Sequence, residues 1–258
     1  MIGILDSGLG GLSVLNEIQR LLPHQPLHYI ADSAWCPYGT KSYSEIQSRV
    51  TTLVDYLLHQ GAEVIVIACI SATIACVEFL RTQYLVPIVG MEPGVKPAAL
   101  QSRNGIIGVM ATEASLAGEK FHRLLTAHAQ HVQVITQPCP DFVTLVEAGT
   151  LHGAAVEDAI HRYIAPMITA DTIVLGCTHY PFLKPCIQSL YPQKALIDTG
   201  TAVAREVARR LPASPSTGQP PVHTFQTSSP SPHHATSLLP TLCPQLPPEV
   251  GFTLLKRA

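Results

Sequence analysis

The sequence has few charged side chains and no apolar run long enough to cross a membrane. Charged residues make up 13% of the 258 residues and hydrophobic residues 47%, whereas a typical soluble domain has about 25% charged residues. This composition excludes disorder of the chain as a whole. The most apolar stretch, 64–77, has 14 residues, and a membrane-spanning helix needs about 20. We therefore expect no transmembrane segment.

The sequence also lacks a large excess of either charge, and it lacks closely spaced pairs of cysteines. The chain has 16 basic and 18 acidic residues, a net charge of -2, and no basic run that forms a phosphate-binding face. Nucleic acid is therefore not expected as a primary partner. The amino terminus has neither a basic leader nor a long apolar region, which predicts a cytoplasmic protein. None of the seven cysteines is in a C-x-x-C pair, so we interpret them as free thiols, structural or catalytic.

Short β-branched runs alternate with amphipathic stretches along most of the chain, which predicts an α/β protein with parallel sheets. Helices are expected at 12–22 and at 42–60, the second ended by Gly61 as its carboxyl-terminal cap. The run 64–68 is apolar without alternation, as in a parallel strand buried on both faces. The predicted strands are 2–5, 27–31, 64–68, 87–90, 105–109, 132–135, 172–176 and 195–197.

The carboxyl-terminal part differs in composition from the rest of the chain. Residues 212–258 hold 10 of the 22 prolines and three charged residues, so long helices are not expected there. Two apolar runs, 222–225 and 250–255, predict further strands, and 212–221 reads as a linker. A disordered tail is the alternative interpretation of this composition.

Two strands that end in cysteine resemble each other. The segment that ends in Cys69-Ile-Ser71 aligns with the one that ends in Cys177-Thr-His179, 108 residues further on. Ligands of open α/β sheets bind beyond the carboxyl ends of strands, so two similar halves would bring two thiols to one cleft. The alternative is chance similarity between two buried strands.

Other polar residues follow predicted strands as well. Asp6, Asp32, Thr112 and Asp198 stand at such positions, where they form either a polar rim or, as we favour for Asp32 and Asp198, helix caps. The glycine-rich segment 6–11 matches neither the dinucleotide fingerprint nor the P-loop. Its glycines more simply let the backbone approach a small anion.

A zinc site is not expected. Cys177, His179 and Cys186 could supply part of one, but no second ligand pair has suitable spacing. The remaining cysteines have no activating neighbour in the sequence and read as small buried hydrophobic residues. They are Cys36, Cys76, Cys139, Cys186 and Cys243.

Several motifs together resemble those of the glutamate racemases, within the aspartate/glutamate racemase superfamily. The motifs that carry the resemblance are Asp6-Ser-Gly-Leu-Gly-Gly11, Pro37-Tyr-Gly39, Cys69, Glu92-Pro93, Leu145-Val-Glu147 and Gly176-Cys-Thr-His-Tyr-Pro181. The resemblance implies two similar α/β domains with mainly parallel sheets that face each other across a central cleft. We place them at 1–93 plus 207–258 and at 94–206. It further implies a homodimer without cofactor or metal that supplies D-glutamate for peptidoglycan.

The resemblance also implies a role for particular residues. Cys69 and Cys177 would be the two acid/base thiols, Asp6 and His179 their assisting groups, and Glu147 a further glutamate of the site. The positions that match substrate contacts are Asp6, Ser7, Tyr38, Gly39, Ile70, Ser71, Thr112, Thr178 and His179.

Inversion at an α-carbon explains why two thiols are wanted, because one proton leaves one face while another arrives on the opposite face. A free cysteine has a pKa of about 8.5, which cationic neighbours or a helix amino terminus lower. Ile70 departs from the family pattern, which has asparagine there, and isoleucine lacks that hydrogen-bonding group. Two alternatives follow. One is a racemase for another amino acid such as aspartate, against which His179 counts, and the other is a degenerate racemase with a binding or regulatory role.

Overall fold

The computed structural model describes residues 1–212 and 220–255. Contacts divide the chain into two compact units, Met1–Met91 with Gly200–Ala258 and Glu92–Thr199. The strands are β1 (Ile2–Asp6), β2 (Leu27–Ala31), β3 (Val64–Ile67), β4 (Ile88–Gly90), β5 (Ile106–Ala111), β6 (Gln133–Pro138), β7 (Thr172–Gly176), β8 (Ala195–Ile197), β9 (Thr224–Thr227) and β10 (Phe252–Leu254).

Helices follow nearly every strand. They are α1 (Leu12–Leu21), α2 (Tyr43–His59), α3 (Ile70–Gln83), α4 (Val95–Gln101), α5 (Glu113–Ala117), α6 (Glu119–His128), α7 (Pro140–Glu147), α8 (Ala154–Ile164), α9 (Lys184–Leu190), α10 (Gly200–Arg210) and α11 (Pro232–Leu242). Short 3-10 turns cover Ser33–Trp35, Tyr38–Thr40, Ala165–Met167 and Tyr180–Leu183.

Each unit is built on its own parallel sheet, as the sequence predicts. The first sheet has the order β10-β9-β2-β1-β3-β4 and the second the order β6-β5-β7-β8. All pairings among the strands of the described residues are parallel. The four strands β2-β1-β3-β4 of the first unit correspond in order to β6-β5-β7-β8 of the second. The resemblance between the Cys69 and Cys177 segments therefore reflects equivalent places in one repeated topology.

The first unit is held by strands buried on both faces. Every residue of β1, β2 and β3 is buried, so the helices on either side exclude water from the whole centre of the sheet. Ser42 begins α2 with a capping box, in which its hydroxyl and the Glu45 carboxylate each accept from the other's backbone N–H. Gly61 follows this helix with a φ of 89°, a left-handed conformation that favours glycine.

Hydrogen bonds stabilise the second unit at the end of its sheet where the strands begin. Asp171, just before β7, accepts hydrogen bonds from the Ser102 hydroxyl and from the backbone N–H groups of Arg103 and Asn104. The Lys194 ammonium donates to two backbone carbonyls of the segment 168–170. These contacts fix the loops far from the ends where Thr112 and Cys177 lie.

All eight central strands and both carboxyl-terminal strands occur within a few residues of the predicted positions. The Gln226 Oε1 of β9 accepts a hydrogen bond from the His28 Nε2 of β2 at 2.8 Å, which joins the carboxyl-terminal segment to the first sheet. The expectation of no long helix after residue 212 is wrong, because α11 has 11 residues. Pro232 occupies its first turn, where no backbone N–H is needed, and Pro240 lies in its last turn. Most of the predicted linker 212–221 lies outside the described residues.

The chain returns from the second unit to the first earlier than the sequence interpretation predicted. That boundary, at 206/207, falls inside α10, whereas the structure assigns all of α10 to the first unit, where it packs on α1. Thr201 donates to the Glu17 carboxylate across this helix pair at 2.6 Å. The apolar stretch 64–77 is divided between β3 and α3, and no helix in residues 1–212 and 220–255 is both long and apolar enough to cross a bilayer.

Candidate active site

The candidate catalytic residues lie at the topological switch point of each sheet. In the first sheet β1 lies between β2 and β3, so the chain continues to one side of β1 and then to the other. In the second sheet β5 lies between β6 and β7 in the same way. Ligands of open α/β sheets bind at such points, beyond the carboxyl ends of the strands. Asp6 ends β1 and Cys69 follows β3, while Thr112 follows β5 and Cys177 follows β7.

The glycine-rich turn after β1 is shaped around Asp6. This side chain is fully buried and its Oδ2 accepts from the Gly8 backbone N–H at 2.9 Å. The Gly8 carbonyl accepts from the Tyr29 hydroxyl at 2.7 Å. A Cβ at Gly11 would lie 2.6 Å from the Asp6 Cβ, so this glycine is required for the close packing of the turn. The glycine-rich turn thus fixes the position of the Asp6 carboxylate. The neighbouring Ser7 is buried as well.

Cys69 stands at the amino terminus of α3. It is the N-cap residue of this helix and is 6% exposed, and Ser71 is exposed to the same extent. A helix amino terminus carries a partial positive charge that stabilises a thiolate. Ile70 is the first residue of the helix and is 3% exposed, so its side chain is withdrawn from water.

Asp32 does not cap the turn that follows it, contrary to the interpretation favoured from the sequence, because its side chain makes no cap hydrogen bond. It is fully buried and binds the Arg49 guanidinium at 2.9 Å (Nε to Oδ2) and 2.7 Å (Nη2 to Oδ1). Oδ2 also accepts from the Tyr38 hydroxyl at 2.6 Å. Burial raises the pKa of Tyr38 well above its ordinary value, and the Asp32 charge raises it further. Tyr38 therefore stays a neutral donor.

Cys177, His179 and Glu147 form a continuous chain in the second unit. The His179 Nδ1 lies 3.5 Å from the Cys177 Sγ, and its Nε2 lies 2.7 Å from Glu147 Oε1. Burial lowers the pKa of His179, but hydrogen bonds to Cys177 and Glu147 outweigh burial and leave it well above the ordinary value. The ring is thus stabilised as an imidazolium between two acidic groups, an arrangement that can deliver a proton to or take one from the sulfur.

Buried polar contacts support the loops around this chain. The Thr112 hydroxyl bonds the Ser115 hydroxyl at 2.8 Å and accepts from the Ser115 backbone N–H, which caps α5. Thr178 is 2% exposed. The Tyr180 hydroxyl donates to the Cys139 carbonyl at 3.0 Å, and this tyrosine is fully buried, so it anchors the turn after Cys177.

The other cysteines separate into two groups. Cys76, Cys139 and Cys243 are buried as predicted, and burial raises the pKa of Cys76 to about 12. Cys36 and Cys186 are partly exposed, so reading them as buried hydrophobic residues was wrong.

Arg49 and Asp198 have ion-pair partners that the local sequence did not indicate. Arg49 carries no motif, and its pairing with Asp32 joins residues 17 positions apart. Asp198, which was taken from the sequence as a helix cap, accepts from the Lys184 ammonium at 2.9 Å. Gly39 lies in the turn Tyr38–Thr40 directly after Tyr38.

The chain is similar in sequence to known racemases. A family model described as Asp/Glu/Hydantoin racemase matches residues 2–207. Glutamate racemase of Herpetosiphon aurantiacus is 46% identical over 237 residues, covering 89% of this chain and 93% of that protein. Glutamate racemase of Ectopseudomonas mendocina is 50% identical over 214 residues, covering 81% of each.

A solved structure agrees with the fold over almost all of the chain. Escherichia coli glutamate racemase, crystallised with L-glutamate and the activator UDP-MurNAc-Ala, superposes with a TM-score of 0.85 at 32% identity. The match covers 98% of this chain and 96% of that one. The repeated parallel sheets, the strand-end cysteines and these similarities lead to one assignment: the chain belongs to the Asp/Glu/hydantoin racemase family of isomerases.

Proposed function

We propose that this protein is a cofactor-independent glutamate racemase that interconverts L- and D-glutamate with Cys69 and Cys177 as its two acid/base thiols. One observation carries the proposal: each unit has a buried cysteine after the same strand of the same topology. Racemisation needs one acid/base group for each face of the α-carbon. In this proposal each unit contributes one such group.

The proton transfers follow from this arrangement. One thiolate removes the α-proton and becomes a thiol, while the opposite thiol donates a proton to the carbanion and becomes a thiolate. By resemblance to the family, Cys177 takes the proton of L-glutamate and Cys69 that of D-glutamate. His179, held by Glu147 at 2.7 Å, assists Cys177, and Asp6 assists Cys69.

Hydroxyls and backbone donors hold the substrate in this proposal. The carbanion is stabilised when its carboxylate is gripped by preorganised hydrogen-bond donors. Ser7, Ser71 and Thr178 are buried beside the strand ends, as this role requires. The remaining substrate contacts that we propose come from Tyr38, Gly39, Ile70 and Thr112.

The proposed setting follows the relatives named glutamate racemase. We expect a cytoplasmic homodimer that requires neither metal nor cofactor and supplies D-glutamate for peptidoglycan. The substrate is glutamate, and we expect neither a membrane nor a nucleic acid as a partner.

The test is α-proton exchange in D2O, followed by NMR together with the optical rotation. The wild-type protein should exchange and invert both enantiomers of glutamate and leave both enantiomers of aspartate unchanged. Cys69→Ser and Cys177→Ser should each reduce inversion by orders of magnitude, because a serine hydroxyl is a far weaker acid than a thiol. Cys186→Ser is the matched control, since Cys186 is partly exposed and has no role in the reaction.

Equilibrium sets a further requirement on these data. The two enantiomers have equal free energy in water, so kcat/KM must fall equally in both directions for every variant. Full racemisation by either serine variant would refute the two-thiol mechanism. Inversion of aspartate rather than glutamate would replace the proposed substrate, and no exchange with either would favour the degenerate protein that the Ile70 substitution suggests.

A further inference from the structure

A buried ion pair in the first unit has no part in the proton transfers. Asp32 receives two hydrogen bonds from Arg49 and one from the Tyr38 hydroxyl. We call these three residues the carboxylate clamp. The Asp32 side chain is 0% exposed and that of Arg49 is 18% exposed. Taking two charges out of water costs energy that their attraction often fails to return, so fold stability alone does not explain the clamp.

The clamp leads to the candidate active site through Tyr38. This residue begins the turn Tyr38–Thr40, which packs against α3, the helix that begins after Cys69. Tyr38 and Cys69 belong to the same buried cluster. The turn also contains Gly39, so any displacement of the Tyr38 hydroxyl would move a proposed substrate contact.

Arg49 also holds the segment that precedes this turn. Its guanidinium carbon lies 5.6 Å from the centre of the Trp35 ring, and the Lys41 ammonium lies 5.2 Å from the same ring. Trp35 ends the 3-10 turn that follows Asp32. One guanidinium on α2 therefore contacts both the carboxylate and the aromatic ring of the segment that leads into Tyr38–Thr40.

We propose that Arg49 is a positioning residue of the racemase: through Asp32 it holds the Tyr38 hydroxyl and thereby fixes the turn Tyr38–Thr40 beside Cys69. This inference rests on the proposed function. The planar fork of arginine is required because it binds both carboxylate oxygens at once, whereas a lysine ammonium is a point donor.

The experiment compares Arg49→Met with Arg49→Lys and with a matched control, Arg162→Met. Arg162 of α8 lies 2.7 Å from an Asp141 oxygen and 5.6 Å from the Tyr163 ring. These are the same distances that Arg49 has to Asp32 and Trp35. Arg162 is 60% exposed and its aspartate 47%, so the control repeats the chemistry at a solvent-exposed position of the second unit.

Steady-state kinetics give the first measurement. In Arg49→Met the KM for glutamate should rise tenfold or more, the effect of losing about one hydrogen bond to a charged group. Arg49→Lys should recover part of this loss, and Arg162→Met should match the wild type. Loss of folded protein lowers kcat and leaves KM unchanged, so a rise in KM separates positioning from a merely structural role.

Tryptophan fluorescence gives the second measurement. The chain has one tryptophan, so quenching by acrylamide reports the segment around Trp35 without interference. Quenching should increase in Arg49→Met and stay at the wild-type value in Arg162→Met. In a Tyr38→Phe background, Arg49→Met should raise KM by a much smaller factor, because the hydroxyl through which it acts is already absent.

Two results would overturn the inference. One is wild-type KM and wild-type quenching in Arg49→Met, and the other is a fall in kcat alone. The quenching needs no turnover and therefore decides whether Arg49 holds the segment even in a protein that does not act on glutamate. Failure of the wild type to racemise glutamate, with quenching changed as expected, would refute the proposed function and leave the clamp intact.

Discussion

Replacing Glu147 by glutamine tests the proton chain at Cys177 most directly. Glu147 Oε1 lies 2.7 Å from His179 Nε2, and the histidine is 2% exposed. Glutamine has the same shape and still offers an oxygen acceptor, so the substitution removes the charge while the neutral hydrogen bond remains. Hydrogen bonds to charged groups contribute about 1.5–3 kcal/mol and neutral ones about 1 kcal/mol. The expected loss is therefore about 0.5–2 kcal/mol, or roughly a two- to thirtyfold fall in kcat/KM.

The pH dependence should change in a definite direction. Burial lowers the pKa of His179, while the hydrogen bonds to Cys177 and Glu147 raise it to well above the ordinary value. Without the Glu147 charge this pKa must fall. The alkaline limb of the profile of kcat/KM against pH should therefore move to lower pH in Glu147→Gln, since the imidazolium is lost sooner.

Stability follows the same linkage. A histidine whose folded-state pKa exceeds the unfolded value contributes stability that is complete below the unfolded value of about 6.5. That contribution is lost as the pH rises through the folded-state pKa. The difference in Tm between the wild type and Glu147→Gln should thus be largest at about pH 6 and shrink at alkaline pH.

The assay is racemisation followed by circular dichroism across the pH range, with thermal unfolding on the same samples. Glu157→Gln is the matched control, because Glu157 is an exposed glutamate of the same unit. An unshifted alkaline limb in Glu147→Gln, with kcat/KM at the wild-type value, would refute the role given to the Glu147–His179 pair.

Three other changes have expected outcomes. Ile70→Asn should raise kcat/KM for glutamate about tenfold if it restores a hydrogen bond to a charged group; a marked fall in Tm with no gain in activity would contradict a substrate-facing position. Gly176→Ala places a Cβ 2.7 Å from the Met110 carbonyl oxygen, so urea unfolding should show a loss of about 1–3 kcal/mol, and unchanged stability would count against the close strand pairing. EDTA should leave the racemisation rate unchanged, and zinc-dependent recovery after chelation would overturn the metal-free mechanism.

Local sequence was sufficient to predict the strands and the positions of the cysteines that follow two of them. The central strands are continuous apolar runs bounded by polar or glycine residues, and a parallel strand buried on both faces needs such a run wherever it occurs. Cys69 and Cys177 were predictable as strand-end thiols because each directly follows one of these runs. Gly61 was predictable as a helix terminator because few residues other than glycine adopt its positive φ.

Tertiary structure decided which side chains meet. Asp32 and Arg49 are 17 positions apart and Glu147 and His179 are 32 apart, and no local period connects either pair. The sheet order brings β9 beside β2, and burial of α10 against α1 sets the second crossing between units at 199/200. Periodicity along the chain reports the face that an element buries, whereas the partner of a buried charge depends on packing between distant elements. For this reason the thiols were predictable from sequence and the carboxylate clamp was not.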